Sequence, residues 1–296
     1  MARTRFRSDR GLTLRMGGVG LGLGALYVAF GALLITQTGL LLGAVITVSM
    51  AWGQWYFSDT LALKSMGAKV VAPEQAPELH AMIDRLCSLA DMPKPKVAIS
   101  VTDMPNAFAA GRTPNHSAVC VTTGIMQRLD ADELEGVLAH ELAHIANRDV
   151  SVMTVASSLG LLAGFITRWG MYFGGGRNRD GNGVPFLVVL AVSLVVYFVS
   201  FLLTRALSRY RELSADRSAA FLTGRPSTLS SALVKISGEM ARIPNKDLRE
   251  GSAISAFFFA PAISRESIGA LMSTHPPLQQ RLDNLAKIGA ELSEKG

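Results

Sequence analysis

Two cysteines in 296 residues, Cys87 and Cys120, exclude a disulfide-stapled scaffold, and neither belongs to a Cys-x-x-Cys pair of the metal-binding type. Both are expected to be reduced, buried thiols. Charge is scarce as well: 18% of residues are charged, against roughly 25% in an ordinary soluble domain. Hydrophobic residues reach 49% and the mean hydropathy is +0.30, so part of the chain is expected to lie in lipid. No nucleotide-binding loop is present. Gly18, Gly20, Gly22 and Gly24 follow no strand and precede no Gly-Lys-Ser/Thr, which leaves close helix packing as their reading. Gly174, Gly175 and Gly176 likewise lack a Walker-type context and read as a flexible loop. There is no internal repeat and no low-complexity tail. The net charge of +6 does not point to nucleic acid, because Arg3, Arg5, Arg7, Arg10 and Arg15 crowd just ahead of the first apolar run. Arginines placed there suit an anionic membrane surface.

Four apolar runs stand out. Residues 16–36 carry no charge, and at about 1.5 Å per residue they can cross a hydrocarbon core roughly 30 Å thick. That run is too long, and too poor in a cleavage site, for a signal peptide. Residues 40–57 end in Trp52, Trp55 and Tyr56, whose amphipathic rings fit the headgroup level. Residues 150–169 and 184–204 complete the set, separated by the Gly- and Asn-rich stretch 174–183. Four spans, with five arginines ahead of the first and none in the turn at 36–40, place the N-terminus and both soluble segments in the cytoplasm. Arg168, Arg177 and Arg179 run against this in the second pair, which can instead form a hairpin packed within the protein.

Between the apolar pairs, residues 73–91 space Leu79, Met82, Ile83, Leu86 and Ala90 along one helical face. Residues 96–101 and 117–122 are short β-rich runs, with 106–111 and the turn-forming 113–116 between them, and predict a sheet of two or three strands. Asp130, three residues before Glu133, predicts an N-cap with a capping box and a helix running through Ile145. Beyond the fourth run, 205–222 reads as helix, stopped by Thr223-Gly224-Arg225-Pro226, and a second helix spans 227–242. A terminal amphipathic helix starts after Pro276-Pro277 and carries Leu278, Leu282, Leu285 and Ile288.

The helix after Asp130 contains His140-Glu141-Leu142-Ala143-His144. Residues four apart share a helical face, so the two imidazoles can present nitrogens to one Zn2+ ion at about 2.0 to 2.1 Å. Glu141 is offset around the helix, where its carboxylate can reach an attacking water and act as general base. The chemistry that follows is peptide-bond hydrolysis. Catalytic zinc usually takes a third protein ligand. Glu212 and Asp216, again four apart on a predicted helix, can face the same site, Glu212 as ligand and Asp216 as the partner that orients a histidine. Spacing alone equally allows a solvated charge cluster with Arg209, Arg211 and Arg217.

Taken in order, two N-terminal spans, Asn106-Ala-Phe-Ala-Ala-Gly111, the His140–His144 motif continuing to Arg148-Asp149, two further apolar runs, Glu212-x-x-x-Asp216 and His275-Pro-Pro277 resemble the HtpX-type membrane zinc metalloproteases. These heat-shock proteases are relatives of the CAAX prenyl endopeptidases and of a mitochondrial stress protease. The resemblance covers nearly the whole chain and implies a gluzincin-type zinc endopeptidase with one zinc per chain and Glu212 as third ligand. It also implies a multi-pass protein of a bacterial-type inner membrane, with the active site facing the cytoplasm, cleaving misfolded or membrane proteins in quality control and stress response. Association with other membrane proteases belongs to the same expectation. The Asn106-Ala107-Phe108 segment resembles the family's edge strand, which makes it a candidate for substrate contact, the alternative for Asn106 being a simple turn residue. His275 can stabilise a developing oxyanion, or cap a helix beside two prolines. His80 and His116 match no motif and are not expected to be ligands. Arg148 and Asp149 match the pattern, the alternative being that they only pair and cap the junction with the third span. The arginine-rich arm departs from the family's fuller examples.

The expected architecture is therefore a mainly α-helical membrane protein with about four transmembrane helices and a cytoplasmic zincin-like domain containing a small β-sheet. Its parts are a basic arm at 1–15, a first hairpin at 16–57, the first half of the protease domain at 58–149, a second hairpin at 150–204 and the second half at 205–296. Two other functions fit the same residues: a prenyl-protein processing peptidase, and a zinc-stabilised membrane scaffold or chaperone without catalysis. Four spans are few for the membrane chamber of the first, and the presence of Glu141 argues against the second, since a structural zinc site needs no base.

Overall fold

A computed structural model describes residues 55–154, 186–240 and 276–294, with scattered positions between 11 and 53 and at 156 and 163. His275, most of the first hairpin and the stretch 174–183 lie outside the described residues. In chain order the elements are α1 (Ser58–Ser65), β1 (Lys69–Val70), α2 (Pro77–Ala90), β2 (Lys96–Ser100), β3 (Ala107–Thr113), β4 (His116–Thr122), α3 (Thr123–Arg128), α4 (Ala131–Ala146), α5 (Phe186–Thr223), α6 (Pro226–Met240) and α7 (Leu278–Ser293).

The strands form one four-stranded sheet in the order β1-β2-β4-β3, larger than the two or three strands expected. β2 and β4, the two runs with strong β patterning, pair in parallel at its centre. The additions are antiparallel edges. β1 is two residues long, and β3 is rich in alanine and glycine, so neither carries a β-branched signature of its own. β3 holds its place because Gly111, at φ +138°, accommodates the bulge beside the β3–β4 turn; a Cβ there would sit 2.3 Å from the His116 carbonyl oxygen.

The sheet is covered on both faces. On one, Phe108, Ala110, Ala118 and Cys120 pack against Ala62 and Leu63 of α1. On the other, Val97, Ala107, Val119 and Val121 join a larger core built with α2, α4 and the C-terminal end of α5, together with α6 and α7. Both cysteines are free and buried, and burial pushes the thiols up to about 11 for Cys87 and about 12 for Cys120.

α4 begins as the sequence predicts. Asp130 accepts from the Glu133 amide at 2.9 Å, while Glu133 accepts from the Asp130 amide at 3.0 Å, closing the capping box. Glu133 also receives Ser231 at 2.6 Å and Lys235 at 2.7 Å, which ties α6 to the start of α4. Gly136 lets the two helices approach closely, since a Cβ there would come within 3.3 Å of the Leu229 amide nitrogen.

Residues 205–222 are not a separate helix. α5 runs unbroken for 38 residues, because neither glycine nor proline occurs between Phe186 and Thr223. Its residues from Leu190 to Thr223 are, among the described residues, the one helix long and apolar enough to cross a membrane. Gly224, at φ +69°, and Pro226 then end it and start α6.

Candidate metal centre

The 3.6-residue repeat of α4 stacks His140 directly before His144, and their Nε2 atoms lie 3.1 Å apart. Glu212 arrives from α5, with one carboxylate oxygen 3.4 Å from His144 Nε2 and the other 3.6 Å from His140 Nε2. The three candidate ligand atoms all fall within 4.8 Å of one another. Two imidazole nitrogens and one carboxylate oxygen, converging from two helices, form a donor set suited to a borderline-soft divalent ion.

Each imidazole is also held from behind. His140 Nδ1 lies 3.0 Å from Asp216, whose two oxygens are gripped by Arg281 at 2.6 and 2.8 Å. His144 Nδ1 lies 2.5 Å from Asp149, and Arg211 reaches the same carboxylate at 2.7 Å. Such outer partners fix which ring nitrogen is free to ligate. Asp149 reaches His144 through a tight reversal after α4, in which Arg148 takes a left-handed conformation at φ 55° and donates its amide to the Ile145 carbonyl. A non-glycine residue there costs about 1–2 kcal/mol.

Burial disfavours charge on either imidazole, yet hydrogen bonds to Asp216 and Glu212 raise His140 above its usual range, and those to Asp149 and Glu212 carry His144 up to about 10. Proton and metal therefore compete for the same nitrogens, and metal binding must release protons. Glu141 is 5% exposed. Burial lifts its carboxyl above the ordinary range, partly countered by the two imidazoles and by a hydrogen bond from the Ala109 backbone amide of β3. That amide is available because β3 alternates. The Asn106 carbonyl accepts from Thr122 and its amide donates to Thr122 Oγ1, so Ala107 and Ala109 turn their backbone groups away from β4.

His140, Glu141, His144, Glu212 and Asp216 thus meet in one place. Asn106 is 1% exposed and Phe108 packs towards α1, and it is the outward backbone of β3, through the Ala109 amide, that borders Glu141. His80 is buried, its ring bonded to the Val71 carbonyl at 3.1 Å, and His116 opens β4 near Thr113; neither joins the cluster. Arg211 is 8% exposed and bound to Asp149, so it does not belong to a solvated charge cluster. Sequence reasoning missed the role of Asp149 behind His144, and it missed Arg281. The signal for Arg281 was its position: it falls between Leu278 and Leu285 on the apolar stripe of α7, where a charged residue needs a buried partner.

Residues 73–289 match the model of the family described as peptidase family M48. The chain belongs to peptidase family M48. As an M48 member it is a metalloendopeptidase, a hydrolase acting on peptide bonds, and the family implies a divalent metal that the His140, His144 and Glu212 donors fit. It is 54% identical over 297 residues to the Streptomyces coelicolor protein named protease HtpX homolog 1, covering 98% of this chain and 97% of that one. A Moorella thermoacetica protease HtpX homolog is 52% identical over 301 residues, covering 99% of both. Among solved structures, the crystal structure of S. mikatae Ste24p shares the fold at a TM-score of 0.56 and 16% identity, matching 91% of this chain; the chain spans 62% of its length.

Proposed function

We propose that this M48 peptidase is an integral-membrane zinc endopeptidase that cleaves misfolded or membrane proteins at the cytoplasmic face as part of membrane quality control. The observation that carries the reading is the convergence of His140, His144 and Glu212 beside a buried Glu141 that is hydrogen-bonded to the neighbouring β-strand. His140, His144 and Glu212 would hold the ion, one per chain, with Asp216 and Asp149 orienting the two rings. Bound zinc supplies Lewis acidity, bringing the pKa of water towards about 7 and polarising a carbonyl.

Glu141 takes the proton of the attacking water and returns one to the leaving amine. Its raised proton affinity suits both halves of that transfer. An extended substrate lies along the outer edge of β3, where the backbone of Ala107 and Ala109 faces the site. His275 remains a candidate for oxyanion stabilisation.

Membrane integration is supported by the apolar half of α5, by exposed Trp52, Phe57 and Leu61, and by Tyr56, over whose ring Arg112 stacks at 4.1 Å. The five arginines of the N-terminal arm support the cytoplasmic orientation.

Glu141→Gln keeps every proposed ligand and removes only the base. Purified with zinc, that variant is expected to bind the metal as wild type does and to cleave casein about 100- to 10000-fold more slowly. Undiminished cleavage would contradict the assignment. Zinc at one per chain with no cleavage of casein or of itself by the wild type would favour the scaffold alternative.

A further inference from the structure

The two pairs that back the imidazoles are built differently. Asp216 and Arg281 join α5 to α7, within the helical layer of the core. Asp149 and Arg211 instead stand at the two ends of the 150–204 segment, one immediately before it and the other on α5 shortly after it. The same two arms meet again farther along, where Thr204 Oγ1 donates to the Ala156 carbonyl at 3.2 Å. Asp149 is 2% exposed and Arg211 8%, so their attraction is shielded from water and salt. One oxygen of Asp149, Oδ2, faces both His144 Nδ1 and Arg211 Nη2, and the guanidinium therefore fixes the carboxylate rotamer that the imidazole depends on. Arg211 precedes Glu212 by one residue, about 100° around the helix, so a single turn of α5 supplies a ligand to the centre and a clamp behind it.

We infer that Arg211 is a positioning residue that, through Asp149, holds the His144 ring in its ligating orientation and ties the metal centre to the base of the 150–204 segment. This deepens the proposed zinc reading and rests on it. Full-length protein in detergent micelles is titrated with zinc against a chromophoric chelator. Arg211→Met is expected to lower zinc affinity about 10- to 100-fold, and Arg211→Lys, which keeps the charge, to recover most of the loss. In an Asp149→Asn background the Arg211→Met change should cost nothing further, because the residue through which it acts is already disabled.

An unchanged affinity in Arg211→Met, or an equal loss in both backgrounds, overturns the inference. Should Arg211→Met fail to accumulate, Arg211→Lys is compared in the same two backgrounds. A small loss confined to the background that retains Asp149 supports the inference, and no loss or equal losses overturn it. A wild-type protein that binds no zinc would overturn the metal reading itself, an outcome distinct from any ranking of the variants.

Discussion

The two halves of α5 obey opposite rules. Towards its N-terminus the helix exposes apolar side chains, Val195 at 61% and Phe198 at 59%, whereas towards its C-terminus it buries Arg211, Glu212 and Asp216. Either pattern would be unfavourable in a helix surrounded by water on one face and by a core on the other. Together they fit the proposed membrane integration, in which one helix meets two solvents. At about 1.5 Å per residue, 38 residues extend roughly 57 Å, nearly twice a hydrocarbon core. One half can be solvated by lipid tails, while the other exchanges water for ionic and hydrogen-bonded partners on α4 and α7. An unbroken helix makes the first half a rigid base for the second.

The largest effect is expected in the polar half. Glu212→Ala removes one of three proposed ligands and should weaken zinc binding roughly 1000-fold, with peptidase activity falling in step; chelator competition and casein cleavage measure the two. Retention in the membrane fraction should be unaffected. The reciprocal change, Phe198→Asp in the apolar half, places a charge at an exposed position that the proposed membrane integration puts in lipid. It is expected to cost about 2.5–3.5 kcal/mol of insertion, a shift of about 100-fold that alkaline carbonate extraction would detect. Comparable extraction of variant and wild type would remove the distinction between the halves. Asp216→Asn is milder than Glu212→Ala, since it leaves the ligands in place and disturbs only the ring behind them. A 10- to 100-fold loss of zinc affinity is expected.

The smallest effect lies off α5. Burial works against the Glu133 carboxylate, but Lys235, Ser231 and the Asp130 amide together hold it below its usual range. A carboxyl depressed on folding stabilises the protein above its unfolded pKa, and that contribution is lost as pH falls through the folded value. Glu133→Gln should therefore show a shallower loss of thermal stability below about pH 4.5 than the wild type. Parallel acid profiles would show that Glu133 does not set it.

Much of the fold was legible because local chemistry and tertiary context agree. The Asp130–Glu133 box, the apolar spacing of 73–91 and the Gly224–Pro226 stop all act within a few residues, and each element lies within a few residues of its expected bounds. β3 was harder to read. Alanine and glycine at 107–111 have little intrinsic strand preference, and the strand exists because β4 offers it a partner and α1 and α4 cover its faces. The join between 184–204 and 205–222 was missed for a related reason: the composition changes abruptly at Arg205, while the backbone, with no breaker, does not.

The sequence by itself determined the His140–His144 pair, because an i, i+4 spacing on a capped helix fixes where two side chains point whatever surrounds them. It also determined that 184–204 is an uncharged apolar run long enough to cross a hydrocarbon core. Only the tertiary structure decided that Glu212 meets that pair, and that Asp149 and Asp216 stand behind separate rings, each gripped by its own arginine. Those contacts join residues up to 76 positions apart, from His140 to Asp216. No local rule encodes them, because their strength comes from burial, which exists only once the helices have packed.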